Sequence, residues 1–310
     1  MDRDFIVKEI RHGQKRYPQI NVKIKMETHF HIGVRRCFMY RGLQSLLSKA
    51  GRPTSRRLIP GLALAALLLA PIREVSAVEL NVLAAGAVEA VVRDMVGSFE
   101  KESGHTVKLT YAPVGALRDK IYAGEPADLT IVTPVIIEQL QARKLVRSAT
   151  RTDLGRVGGG IAVRKGAPRP AVGTPEELKR ALLAAKEIYY ADPKIATAGA
   201  YFLKVADRLG IGEEVRKKVR TAGGGKVSME LMAKSTVEAI GLTQISEILS
   251  VPQVELVGPY PGDLQLMTTY TGILLERTPH PDAAEAFLRF LTSPPVQARF
   301  KQQGYEVSVR

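Results

Sequence analysis

The sequence predicts an α/β protein of two doubly wound lobes joined by a hinge, with a ligand cleft between them. Three observations predict it. From Val78 onward, β-type runs alternate with segments of helical period. The connections between them are short, which makes the strands parallel. Two Gly/Pro-rich stretches, Gly155–Gly160 and Val257–Leu266, divide the series into a first half, a second half and a return, and are the expected hinge. Residues 78–157 and 258–310 are thus expected to form lobe 1, and residues 158–257 lobe 2.

The elements follow in order. Val78, Leu80 and Val82 alternate, a strand running into Leu83-Ala84. Val88, Val91, Val92, Met95, Val96 and Phe99 lie on one helical face, stopped by Gly104. "HTVKLTY" (105–111) is a second strand, Leu117 and Ile121 mark a short helix ending at Gly124, and "DLTIV" (128–132) is a third strand. A helix through Ile136, Ile137 and Leu140 comes next. "GRVGGG" (155–160) reads as a break before the strand "IAVRK". Thr174-Pro175-Glu176-Glu177 is a capping box with Pro at the first helical position. The strand "EIYYA" (187–191), a helix from about Gly199 to Leu209, a helix near 228–235 and the strand "VEAIGLT" (237–243) complete the second half. "LQLMTTYTGILLE" (264–276) and a helix over 281–291 return the chain to lobe 1.

Ligands on such sheets bind at the carboxyl ends of strands. The loop Ala84-Ala85-Gly86-Ala87 sits at such an end. Its small residues let main-chain N–H groups at a helix start face an anion. They would equally let the helix pack close on the sheet, and the loop alone does not separate the two.

The 310-residue chain carries 45 Lys+Arg against 31 Asp+Glu, a net +14. That charge is unevenly placed. Arg56 and Arg57 precede an apolar run, Leu58–Ala70, too short to span a bilayer, and Val75-Ser76-Ala77 offers small residues for cleavage. Residues 56–77 are expected to be a signal peptide cut after Ala77, with an uncleaved membrane anchor as the alternative. Residues 1–55 form an unassigned basic leader without helical or strand period, where a misassigned start is the expectation and Met39 the expected initiator. Beyond Ala77 the balance falls to 30 against 26, net +4, and the basic residues are scattered, so nucleic acid is not an expected partner. The single cysteine, Cys37, lies ahead of the cut. The exported chain then has no disulfide and no Cys metal ligand, as a soluble periplasmic protein would.

Catalytic motifs are sparse. There is no G-x-S-x-G elbow and no H-E-x-x-H, and "GGGKVS" (223–228) lacks the phosphate-loop spacing. His105 and His280 read as surface residues, Asp128 and Asp192 as hinge or cap residues, and Lys226 as solvated. No enzyme, metal or cofactor is expected; an acid pair facing across the cleft would reverse the first of these.

From Val78 to the C-terminus the chain resembles the periplasmic substrate-binding proteins of ABC importers, in the molybdate-binding-protein-like branch. The carrying motifs are "NVLAAGAVEAV" at the start, "YAGEPADLTI" (122–131), "ADPKIATAGAYFLKVADRLGI" (191–211) and "AAEAFLRFLTSPPVQARFKQQGYEV" (283–307). The resemblance implies a type II periplasmic binding fold, a monomer that closes on a small anion and delivers it to an ABC permease in the inner membrane. It also implies ligand-binding positions at Gly86, Ala87, Val114, Gly115, Ala116, Thr133, Thr197, Ala198, Gly199, Val227, Ser228 and Gln244, with Met229 beside them. Where molybdate binders of this branch carry a Ser in the first loop, consecutive serines in the second and a Tyr after the later strand, this chain has Ala87, Pro113-Val114-Gly115-Ala116 and Gln244. Hydrogen bonds to a charged group contribute about 1.5–3 kcal/mol each, so two losses weaken oxyanion binding on the order of a hundredfold or more. An organic anion is therefore expected ahead of molybdate. The alternatives are a molybdate or tungstate binder relying on main-chain donors, and a periplasmic sensor that signals to a kinase.

Overall fold

The computed structural model describes residues 76–307. The basic leader, Met39 and the apolar run lie outside them; Ser76 and Ala77, at the expected cut, are exposed and precede the first strand.

Strand β1 (Glu79–Ala85) runs through a 3-10 turn (Gly86–Val88) into helix α1 (Glu89–Ser103). Val91, Val92 and Phe99 bury its inner face, and Gly104 ends it at φ 73°, donating its N–H to the Glu100 carbonyl. β2 (Thr106–Ala112), α2 (Val114–Tyr122), β3 (Leu129–Val132) and α3 (Pro134–Ala142) follow. The long strand β4 (Thr152–Arg164) leads to α4 (Pro175–Ala184), whose capping box forms in both directions between Thr174 and Glu177. Then come β5 (Glu187–Ala191), α5 (Thr197–Arg208), α6 (Gly212–Arg216), β6 (Val219–Ala222), α7 (Gly225–Met232), β7 (Ala239–Gln244), α8 (Ile245–Leu249) and β8 (Val254–Pro259). β9 (Met267–Leu274), α9 (Pro281–Leu291), α10 (Pro294–Gln302) and β10 (Tyr305–Glu306) close the chain.

The strand order is β2-β1-β3-β9-β4-β7-β5-β6, with β8 and β10 also on β4. β1 is parallel to β2 and β3, and β5 is parallel to β6 and β7. Antiparallel β9 and β4 link these two parallel groups. β4 changes partners along its length: Thr152–Gly158 pair with β9, and Gly159–Ala162 pair with β7. One apolar core forms around β1, β3 and α9, and separate cores form around β5 and α5 and beneath α7 and α8. This is the mixed α/β, two-lobed architecture expected.

The glycines 155–160 do not break the chain; they lie inside β4. Gly158 and Gly159 leave room for the return segment, which crosses against them. A Cβ on Gly159 would lie 2.8 Å from the Tyr260 ring, and one on Gly158 would lie 2.8 Å from Gln265 Nε2. Gln265 in turn accepts the Gly159 N–H at 2.9 Å and donates to its carbonyl at 3.0 Å. His105 is likewise buried, not on the surface: its Nδ1 accepts the Val78 N–H at 3.4 Å. Asp128 accepts from Asn81 N at 2.8 Å and from the Thr278 hydroxyl at 2.6 Å, and Asp192 caps Lys194 N at 2.9 Å. Among the described residues no helix is long and apolar enough to cross a membrane.

Candidate functional site

A cavity of about 210 Å³ opens where the carboxyl ends of β1, β2, β5 and β7 meet. One wall is the β1 end and turn (Ala85, Gly86, Ala87), Glu89 of α1, and Tyr111 to Val114 at the start of α2. The facing wall is Ala191, Ala196 to Ala198 at the start of α5, and Gly223 to Val227 with Glu230 at α7. Gln244, Glu247 and Tyr270 complete the lining.

Three helices begin at this cavity: α2 behind Pro113, α5 behind Ala196 and α7 behind Gly224. None has a side-chain cap. Uncapped starts occur elsewhere, at α9 and α10, so lack of a cap is not the distinguishing feature. The convergence is. Each start leaves main-chain N–H donors and a positive dipole end, and together they suit an anion with several oxygens.

Charged side chains stand among these donors. Lys226 of α7 reaches Glu89 of α1 at 2.8 Å, and Arg93 meets the same Oε1 at 2.7 Å. Lys226 is thus ion-paired across the cavity mouth, contrary to the solvated lysine expected. Gly115 N donates to the Ile195 carbonyl at 3.0 Å, a second contact between the two walls.

Glu247 on α8 is the buried acid of the site, only 8% exposed. Thr243 donates its hydroxyl to Glu247 Oε2. Burial raises its pKa above the ordinary carboxylate value, and the charge of Glu89 adds to the rise; the Thr243 hydroxyl and the Gln244 and Lys226 main-chain groups act against it. A Cβ on Gly225 would collide with both Glu247 Oε2 and Thr243 Oγ1, so α7 can start there only with glycine. Burial pushes the Tyr111 phenol well up, so it is neutral at ordinary pH. Among the described residues, Tyr111 Oη and Gln244 Oε1 are two of three buried side-chain polar atoms without a partner, and both residues line the cavity. Gln244 Nε2 donates to Thr268 Oγ1 at 2.9 Å, while Tyr305 anchors the first turn by donating to the Ala87 carbonyl at 2.8 Å.

Of the residues expected from sequence, Gly86, Ala87, Val114, Thr197, Ala198, Val227 and Gln244 line the cavity. Gly115, Ala116, Thr133, Gly199 and Ser228 stand outside this lining. Thr133 begins α3. Gly199 packs where a Cβ would collide with the Ala191 carbonyl, and the Ser228 hydroxyl donates to the Gly224 carbonyl at 2.8 Å. Met229 is core against Gly241. Sequence reading missed Glu89, Tyr111, Glu247 and Tyr270. Glu247 carried a usable signal, a lone acid in the apolar run "AIGLTQISEIL"; Glu89 looked like an ordinary acid in a first helical turn.

Residues 80–306 match the family model described as bacterial extracellular solute-binding protein. The chain belongs to that family. It is 29% identical over 255 residues to an aconitate isomerase from Pseudomonas sp., covering 79% of this chain and 95% of that one. It is 25% identical over 237 residues to the molybdate-binding protein ModA of Azotobacter vinelandii, covering 74% of this chain and 90% of that protein. The solved structure of the periplasmic molybdate-binding protein of Azotobacter vinelandii superposes with a TM-score of 0.63 at 18% identity, over 74% of this chain and all of that one, a likeness of fold.

The isomerase corrects one expectation. A chain of this family was read as no enzyme because it lacks nucleophile and metal motifs. A relative over 79% of this chain is named as an enzyme, so the lack of those motifs does not exclude one here. Among the described residues no cluster of three or more His, Cys, Asp or Glu could hold a metal ion.

Proposed function

We propose that this protein takes a small unsaturated polycarboxylate into the cleft and shifts a proton between two of its carbons, the kind of reaction its Pseudomonas relative is named for. The observation that carries this reading is Glu247, a buried carboxyl group biased toward its protonated form, in a cavity where three helix starts converge and Glu89, Tyr111 and Lys226 also stand. Carboxylates of a ligand suit the main-chain donors at α2, α5 and α7 and the ammonium of Lys226. A molybdate ion would draw on the same donors, but the hydroxyls that the molybdate-binding branch places in its loops are replaced by Ala87, Val114 and Gln244. Aconitate, a propene tricarboxylate, has a methylene flanked by a carboxylate and a double bond. Removing a proton there and adding one at the far vinylic carbon moves the double bond and resets its geometry.

Residues 78–157 and 258–310 act as one lobe and residues 158–257 as the other, turning about β4 and the segment Val257–Leu266. Export to the periplasm by residues 56–77 and a monomeric state belong to the same reading. A second reading, capture of the acid and delivery to an ABC permease, is favoured by the family match over residues 80–306, and the same closed cleft would serve it.

The test is a thermal-shift series with cis-aconitate, trans-aconitate, citrate, molybdate and tungstate, followed by proton NMR of each aconitate incubated with the protein. Ligand at a thousandfold its Kd adds about 4 kcal/mol of stability. Stabilisation by aconitate with cis–trans interconversion is expected. Stabilisation by molybdate or tungstate alone, with no interconversion, overturns the reading.

A further inference from the structure

We propose that Glu89 and Glu247 divide the proton shift, Glu89 as the base that removes a proton from the substrate and Glu247 as the acid that returns one to the vinylic carbon. This rests on the isomerase reading above. Both residues line the cavity, Glu89 from the first turn of α1 and Glu247 from α8, so a flat acid held in the cavity meets both carboxyl groups.

Their surroundings differ in the way that separates a base from an acid. Glu89 is ion-paired to two cations, Lys226 at 2.8 Å and Arg93 at 2.7 Å. Both cations sit on Oε1. Among the described residues no side chain bonds Oε2, which leaves that oxygen for the substrate. Glu247 has no cationic partner among the described residues; its Oε2 meets the neutral hydroxyl of Thr243. Burial and the nearby charge of Glu89 both favour its protonated form.

The step balances without an oxidant or cofactor. Glu89 Oε2 takes a proton from the methylene; the C–H bond breaks and its electron pair enters the conjugated system as a dienolate. The negative charge spreads onto a carboxylate held at the helix starts. The Glu247 O–H bond breaks, its proton forms a C–H bond at the far vinylic carbon, and the double bond stands one place along. Glu89 ends protonated and Glu247 ionised, and proton exchange with water resets both. Lys226 reaches Glu89 from the other wall, so the base is fully positioned only when the walls have come together.

The experiment compares wild type, Glu89→Gln, Glu89→Asp and Glu247→Gln in D₂O, with trans-aconitate as probe and NMR reading isomerisation and deuterium uptake separately. Loss of a general acid or base lowers the rate by about 10²–10⁴-fold. Glu247→Gln is expected to lose isomerisation to that extent yet still place deuterium at the methylene, because Glu89 removes and returns a proton at one carbon. Glu89→Gln is expected to lose both. Glu89→Asp, which keeps a negative charge for Lys226 and Arg93 but withdraws the carboxylate by one methylene, loses exchange as well. Thermal shift with trans-aconitate confirms that each variant is folded and binds. Deuterium uptake by Glu89→Gln, or isomerisation by Glu247→Gln at the wild-type rate, overturns the assignment while leaving the isomerase reading intact. A wild type that binds aconitate and neither isomerises nor exchanges it overturns both.

Discussion

Asp128 and Glu247 are both carboxyl groups almost wholly removed from water, at 2% and 8% exposure, yet the regions around them are built to different ends. Asp128 opens β3 inside the lobe formed around β1. One of its oxygens takes the Asn81 N–H at 2.8 Å, and the other takes the Thr278 hydroxyl at 2.6 Å. Its own N–H donates to the Asn81 carbonyl at 2.8 Å, and its carbonyl accepts from Leu275 N at 2.9 Å. Every direction leads to another part of the fold, and the residue sews β1, β3 and the end of β9 together. Glu247 sits at the start of a short helix with a cavity in front of it and a glycine held clear of its carboxyl. Burial alone does not distinguish a structural acid from a functional one. What distinguishes them is whether the space around the carboxyl is filled by the fold or kept open.

The largest effect that would break this comparison is on stability. Asp128→Ala leaves two buried donors unpaired, and the cost is expected to be on the order of 3 kcal/mol, read as a lower midpoint in urea unfolding. The folded fraction should turn over substrate at the wild-type rate. Glu247→Gln keeps the shape and an acceptor for Thr243 and should unfold close to wild type. If the two variants exchanged these outcomes, the distinction would be wrong.

A smaller effect sharpens it. Gly225→Ala places a methyl group against Glu247 Oε2 and Thr243 Oγ1. Overpacking of this kind costs about 1–3 kcal/mol, and turnover should fall with it because the acid is displaced. Gly97→Ala is the control: a Cβ there meets nothing within 4 Å, in the exposed interior of α1. It should stabilise the protein by about 1 kcal/mol. Equal losses in the two variants would mean that Gly225 is held by helix geometry and not by the acid.

These sites also show how much was legible beforehand. The alternation of Leu80 and Val82, the helical face from Val91 to Phe99 and the cap at Thr174–Glu177 are local patterns, and each formed where its residues put it. The glycines 155–160 misled because glycine marks both a turn and a close approach. Only the distant partners, Tyr260 and Gln265, decide between these, and they lie about a hundred residues further along the chain. The cleft was half legible. Ala87, Val114 and Ala198 sit at strand ends, where small residues beside helix starts are a readable sign. Glu89 and Glu247 were not readable as a pair, since they are far apart in sequence and meet only through the packing of α1, α7 and α8. Lys226 was misjudged for the same reason: its partner lies on the opposite wall.

The finest discrimination is in pH. Glu247 holds its proton more tightly in the folded protein than a free carboxyl group does, with burial as the leading cause and the charge of Glu89 behind it. Glu89 of α1 is the charged side chain that acts on it, and α7 brings Lys226 close; the phenols of Tyr270 and Tyr305, which stay protonated, also border it. A group whose folded pKa lies above its unfolded one gives stability that is complete below the unfolded pKa and is lost as pH rises through the folded pKa. Wild type should therefore lose stability as pH rises through and above the ordinary carboxylate range. Glu247→Gln, which cannot titrate, should show a flatter slope over the same interval, read as Tm across a buffer series. The difference curve between the two isolates this residue, since every other carboxyl group titrates in both. A slope unchanged by the substitution would place Glu247 beside Asp128, as one more acid absorbed by the fold.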